Sequence, residues 1–155
     1  MTIQEQVVEK LKNKNYHISF AESCTGGLCC AKLVEVSSAS AVLDMSFVTY
    51  ANSAKVKLLG VDEDTISDFG VVSEEVARQM AYGVAKKAQS EIGVGVTGIA
   101  GPTGETENKP VGMVCFGFYV NGNVVSYTKY FGNIGRNNVR EQSANFVYEV
   151  LNKIL

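Results

Sequence analysis

The sequence is poor in metal-binding residues. It holds a single histidine, His17, and its four cysteines, Cys24, Cys29, Cys30 and Cys115, include no Cys-x-x-Cys pair. A zinc site needs spaced Cys, His or carboxylate ligands, so no metal centre is expected. The cysteines read as reduced, mostly buried thiols. The chain also lacks a basic excess: 14 Lys and Arg face 16 Asp and Glu, for a net charge of −2. Broad nucleic-acid binding needs a basic face, so no nucleic-acid partner is expected, although a local patch can still hold one phosphate. No apolar run approaches a membrane span, and Met1 to Lys14 is amphipathic and charged rather than secretory. These absences point to a cytoplasmic protein with no membrane contact.

What is present suits a folded core. Of 155 residues, 46% are hydrophobic and 19% charged, which reads as one domain over residues 1–155. Thr2-Ile3-Gln4-Glu5 forms a capping box before Ile3, Val7 and Leu11 at helical spacing. Ile18 to Ala21 reads as a short strand. It ends in Glu22-Ser23-Cys24-Thr25-Gly26-Gly27, and an apolar helical run follows from Leu28 to Val36. Ser37 to Leu43 suggests a short helix and Ser46 to Ala51 a strand. Asn52 is placed to cap a helix through Lys55 to Leu59 that Gly60 ends, and Val61 to Gly70 reads as a loop. Ser73 caps a long helix with Glu74 and Glu75 in its first turn, where the dipole favours acids. Ile92 to Ile99 is a strand interrupted by glycines. Val111 to Val120 and Val124 to Phe131 pair as a hairpin about Asn121-Gly122-Asn123, and a last helix runs from about Asn137. Strands and helices alternate around an antiparallel hairpin. The expected fold is a three-layer α/β/α sandwich with a mixed sheet.

Ser23 is the first candidate for chemistry. It follows a strand and opens a glycine-rich helix start, a corner that exposes a side chain and converges backbone N–H groups. The plain alternative is an N-cap serine. A Ser-His-Asp triad is improbable. Extended residues advance about 3.3 Å each, so His17 should sit at the opposite end of the strand. Tyr50 and Lys55 remain as possible bases. Lys55 falls in the first turn of a helix, where the dipole opposes a cation, and burial lowers a lysine pKa in the same direction. Otherwise Lys55 is a surface lysine and Tyr50 a core aromatic with a bonded hydroxyl.

Two further segments suit a ligand. Gly98-Ile99-Ala100-Gly101-Pro102-Thr103-Gly104 follows a strand, and its glycines permit close backbone approach. Arg136 and Arg140 open the last helix, where two cations meet the positive dipole end. A bound anion resolves that conflict, and two solvated arginines would cost only tenths of a kcal/mol.

Ala21-Glu22-Ser23-Cys24-Thr25-Gly26-Gly27, Phe47-Val48-Thr49-Tyr50 with Asn52 and Lys55, Gly70-Val71-Val72-Ser73, Gly98-Ile99-Ala100-Gly101-Pro102 and Lys109-Pro110-Val111-Gly112 occur in that order. Together they resemble the CinA C-terminal domain family, across essentially the whole chain. The resemblance implies a nicotinamide-nucleotide amidohydrolase, which hydrolyses the carboxamide of nicotinamide mononucleotide to nicotinic acid mononucleotide and ammonia. It implies neither metal nor cofactor. It also implies Ser23 as nucleophile, Tyr50 and Lys55 as its catalytic partners, and a homo-oligomer. Arg136 best matches the family's arginine at the start of the last helix. Thr25, Gly26, Gly27, Gly98, Gly101 and Arg136 are the expected substrate and phosphate contacts. Two departures stand out: these 155 residues do not include the molybdopterin-binding-like domain of full-length relatives, and Ser46 replaces a frequent glycine. A non-catalytic nucleotide-binding domain, or a hydrolase for another small amide, would use the same turns.

Overall fold

In the computed structural model, which describes residues 1–155, five strands form one mixed sheet in the order β2-β1-β3-β4-β5. The strands are β1 (Ile18–Glu22), β2 (Leu43–Val48), β3 (Ile92–Gly98), β4 (Met113–Val120) and β5 (Asn123–Tyr130). β2, β1 and β3 run parallel, and β4 and β5 pair antiparallel to close the sheet. Six helices flank it: α1 (Ile3–Lys14), α2 (Leu28–Val34), α3 (Asn52–Leu59), α4 (Glu63–Phe69), α5 (Glu74–Ala88) and α6 (Arg136–Ile154). The expected three-layer architecture is the observed one.

Both faces of the sheet are buried. On one side α1, α2 and α6 pack over Phe20, Val94, Val96, Phe116 and Phe118, with Leu11 and Tyr148 among the filling side chains. On the other side α5 lies along the sheet, with Val76, Met80 and Val84 against Ala21 and Leu59. The glycines of β3 have a packing reason. Side chains alternate along a strand, so Ile92, Val94 and Val96 fill the first core while Gly93 and Gly95 meet α5. A Cβ on Gly95 would stand 2.4 Å from the Ala77 carbonyl oxygen, and one on Gly117 of β4 would stand 2.2 Å from it. Helix and sheet therefore touch backbone to backbone.

Several local expectations need correction. Val61 to Gly70 is not a loop throughout, since it contains α4, which buries none of its side chains completely. A helix without a buried stripe leaves no apolar period to read. Ser37 to Leu43 holds only a single 3-10 turn, Ala39–Ala41. β2 begins earlier and stops at Val48, so Thr49, Tyr50 and Ala51 leave the sheet. Ala51, not Asn52, is the N-cap of α3, and no side chain caps that helix. Tyr50 is not a core aromatic; it is 60% exposed.

Topology brings the chemistry to one edge. The C-terminal ends of the parallel strands β1, β2 and β3 lie side by side, with Glu22 opposite Val48 and Val96. β5 ends at that edge too, because Tyr130 pairs with Met113 and Gly98 with Val114. The start of α6 thus arrives beside the turns that follow β1, β2 and β3. Crevices at the carboxyl ends of parallel strands are the usual ligand sites of such sheets.

Candidate active site

A cavity of about 340 Å³ opens at this edge. Ser23, Lys55, Tyr50, Gly98 and Arg136 all line it, as does Cys24. A depression of similar size, about 360 Å³, lies between α4, α5 and β5 around Phe69, Arg78 and Tyr82, but holds no candidate nucleophile. The strand-end cavity is the one that gathers the candidate residues.

Ser23 is buried to 9% exposure, and its N–H donates to Val96 O at 3.1 Å, continuing the β1–β3 pairing by one residue. The chain then turns. Gly26 and Gly27 take φ of +61° and +100°, left-handed values that glycine adopts without strain. Gly27 is the N-cap of α2 and supplies no side chain to it. Its capping falls to Glu22. Both carboxylate oxygens of this buried residue accept main-chain N–H groups of α2, from Cys29 at 2.9 Å and Cys30 at 3.0 Å. The positive end of α2 is thereby occupied by a carboxylate from the protein itself.

Lys55 is the one buried lysine or arginine, at 1% exposure. Its Nζ stands 3.0 Å from Ser23 Oγ and donates to Thr49 O at 2.7 Å and Tyr50 O at 3.1 Å. Thr49 is held in turn by its N–H, which donates to Glu22 O at 2.9 Å. Burial pulls the Lys55 pKa down to about 8. Carbonyl dipoles surround the amine, and no carboxylate forms an ion pair with it. Two of its proton positions are thus committed to carbonyls, and the third position faces the serine. Cys24 is no rival nucleophile. Burial drives its thiol up to about 12, so it stays protonated. His17 is elsewhere, 2.8 Å from Asp44 at the far end of β1.

Tyr50 and Arg136 meet at the rim. Arg136 Nη2 donates to Tyr50 Oη at 2.8 Å, and Nη1 donates to Gly101 O at 2.9 Å. This bridge ties the β2–α3 turn, the β3–β4 loop and the start of α6 together. The structure thus gathers Ser23, Lys55, Tyr50, Gly98 and Arg136 around one space. Thr25, Gly26, Gly27 and Gly101 do not line it: Thr25 is fully buried, Gly26 and Gly27 shape the turn, and Gly101 meets the rim through Arg136.

The sequence alone assigns no role to Glu22 and no main-chain role to Thr49 and Tyr50. For Glu22 a signal existed, since an acid a few residues before a helix start matches the dipole. The sequence pairs Arg140 with Arg136 as anion ligands, and the structure corrects this for Arg140. It lies apart from the cavity, with its guanidinium on the carbonyls of Cys24 and Thr25.

Known proteins share this arrangement of elements. A competence/damage inducible protein, CihA, from Agrobacterium tumefaciens superposes with a TM-score of 0.91 at 40% identity, over 96% of this chain and 93% of that one. A competence or damage-inducible protein from Enterobacter asburiae gives a TM-score of 0.95 at 28% identity, over 98% and 95%. A CinA-like protein of Kosmotoga olearia is 46% identical over 154 residues, 99% of this chain. The chain spans 37% of the length of that relative. The pattern of the CinA C-terminal domain matches residues 1–155, and the chain belongs to that family.

Proposed function

We propose that the chain is an amidohydrolase that cleaves the carboxamide of nicotinamide mononucleotide with Ser23 as nucleophile and Lys55 as general base. The observation that carries the reading is the placement of Lys55 Nζ 3.0 Å from Ser23 Oγ, between two main-chain carbonyls. A neutral amine so held donates its two N–H bonds to those carbonyls and aims its lone pair at the serine hydroxyl.

The reaction then runs in two halves. Ser23 Oγ bonds to the amide carbon while its proton passes to Lys55 Nζ. The oxyanion that forms accepts from the Cys24 N–H, which no protein oxygen accepts and which belongs to a residue lining the cavity. Lys55 returns the proton to the amide nitrogen, the C–N bond breaks and ammonia leaves. Water attacks the acyl-enzyme with Lys55 again taking the proton, and the carboxylic acid product departs as Ser23 recovers its hydrogen. Arg136 uses two of its five donors within the protein, which leaves donors for a phosphate at the rim.

Ammonia release from nicotinamide mononucleotide tests the reading. Ser23→Ala should lower kcat on the order of 10³-fold or more with an unchanged circular dichroism spectrum. Turnover near the wild-type rate in that variant removes the covalent mechanism. Tight nucleotide binding without ammonia release would instead make this a binding domain, and release only from other amides would change the substrate.

A further inference from the structure

We propose that Arg140 is a positioning residue that sets the peptide planes of the nucleophile turn, and through them the aim of the Cys24 N–H. The catalytic half of this proposal rests on the amidohydrolase reading above. Arg140 stands one turn into α6, 116 residues from Cys24 in sequence. Its Nε donates to Cys24 O at 3.2 Å and its Nη2 to Thr25 O at 2.9 Å. Asn137 Oδ1 accepts from Nη1 at 3.1 Å and holds the guanidinium in its plane. Three of its nitrogens are therefore engaged by the protein, and the residue does not line the cavity.

The consequence follows from the planarity of the peptide bond, in which C=O and N–H point in opposite directions. Fixing Thr25 O fixes the Gly26 N–H on the same peptide. That N–H donates to Ser23 O at 3.0 Å, and Leu28 N–H adds a second bond to Thr25 O at 3.1 Å. Fixing Ser23 O fixes the Cys24 N–H on its peptide, the donor assigned to the oxyanion. A separate bond to Cys24 O orients the peptide between. Gly26 gives the turn its left-handed φ of +61°, and a Cβ there would make only ordinary contact with Arg140 Nη2, at 3.5 Å. Glu22 holds the other side of the turn by the amides of α2. The Glu22 carboxyl group thus holds the first amides of the helix after the turn, and the Arg140 guanidinium holds the carbonyls of the turn itself. A planar guanidinium presents its N–H groups in a fixed fork that sets both peptide planes, whereas an ammonium is a point donor on a flexible stem.

The test uses Arg140→Ala and Arg140→Lys with two independent measurements. The first is hydrogen exchange of the peptide that covers the turn, read by mass spectrometry. Exchange at Gly26 and Leu28 should accelerate in both variants while α5 stays protected. The second is steady-state ammonia release. Misaimed donors should lower kcat on the order of 10- to 100-fold, with KM held within about twofold and the pH inflection unmoved. Added guanidinium should restore part of kcat in Arg140→Ala and none in wild type, a response that general loss of folding does not produce. Should Arg140→Ala fail to fold, Arg140→Lys carries the same two measurements. Unchanged exchange overturns the clamp. Loosened exchange with unchanged kcat overturns the positioning role, and a rise in KM alone makes Arg140 a substrate ligand instead. If the wild-type protein hydrolyses no amide, the amidohydrolase reading fails on its own and exchange alone decides the clamp.

Discussion

Lys55 Nζ lies 3.0 Å from Ser23 Oγ while Thr49 O and Tyr50 O accept its other two hydrogen bonds. The amine is therefore held in one orientation before any substrate arrives. Its base form is the neutral one, and burial brings the pKa from 10.5 to about 8. Protonated lysine cannot take the serine proton, so the proposed mechanism requires activity to rise with pH. We expect kcat/KM to climb through one ionisation near pH 8 and level off above it. At pH 7 about a tenth of the enzyme carries the base form. A profile that is flat between pH 6 and 9.5, or that falls, would exclude Lys55 as the base.

Tyr50 offers a sharp contrast with Lys55. Its hydroxyl is at the rim, bonded to Arg136, and its service to Lys55 comes from its carbonyl oxygen. Phenylalanine retains that carbonyl. Tyr50→Phe should therefore keep kcat within a factor of a few, whereas loss of a general base costs on the order of 10²- to 10⁴-fold. Steady-state ammonia release measures the difference. A loss of the larger size would transfer the proton-accepting role to the tyrosine.

A third expectation concerns the fold. Gly95 presses against α5, and a methyl group there would meet Ala77 O at 2.4 Å and Ala81 N at 2.8 Å. Both are backbone atoms of a helix, so neither can swing aside. Gly95→Ala should destabilise the protein by about 1–3 kcal/mol or more, read as a lower urea midpoint at unchanged slope. An unchanged midpoint would mean that α5 can lift from the sheet at no cost.

What could be read from the residues was local. Asn121-Gly122 announced the β4–β5 hairpin because a two-residue turn needs left-handed backbone, and Asn121 and Gly122 indeed have φ of 44° and 103°. Ser73 announced α5 by its cap, which accepts from Val76 N. α4 escaped because its seven residues have no fully buried side chain and so no period. The site divides the same way. The turn at Ser23 was visible as a strand followed by glycines. The contact of Arg140 with Cys24 and Thr25 joins residues more than a hundred positions apart, and no spacing in the chain encodes it. Lys55 lay between the two kinds: its place in a helix start was legible, its burial against Ser23 was not.

Arg136 is the residue proposed to hold the phosphate of the substrate. It is the first residue of α6, where the helix dipole opposes a cation, and its guanidinium sits on the cavity rim. Its bonds to Gly101 O and Tyr50 Oη steady it there and neutralise no charge. An anion at the rim would satisfy both the cation and the helix end. Arg136→Ala should then raise KM for nicotinamide mononucleotide by roughly 10- to 150-fold, the equivalent of about 1.5–3 kcal/mol for a lost charged hydrogen bond. Turnover of nicotinamide riboside, which lacks the phosphate, should barely change. The comparison of kcat/KM for both substrates in wild type and variant separates the outcomes. An equal fall for both substrates would mean that Arg136 serves the chemistry or braces the Gly101 loop, and that the phosphate is bound elsewhere.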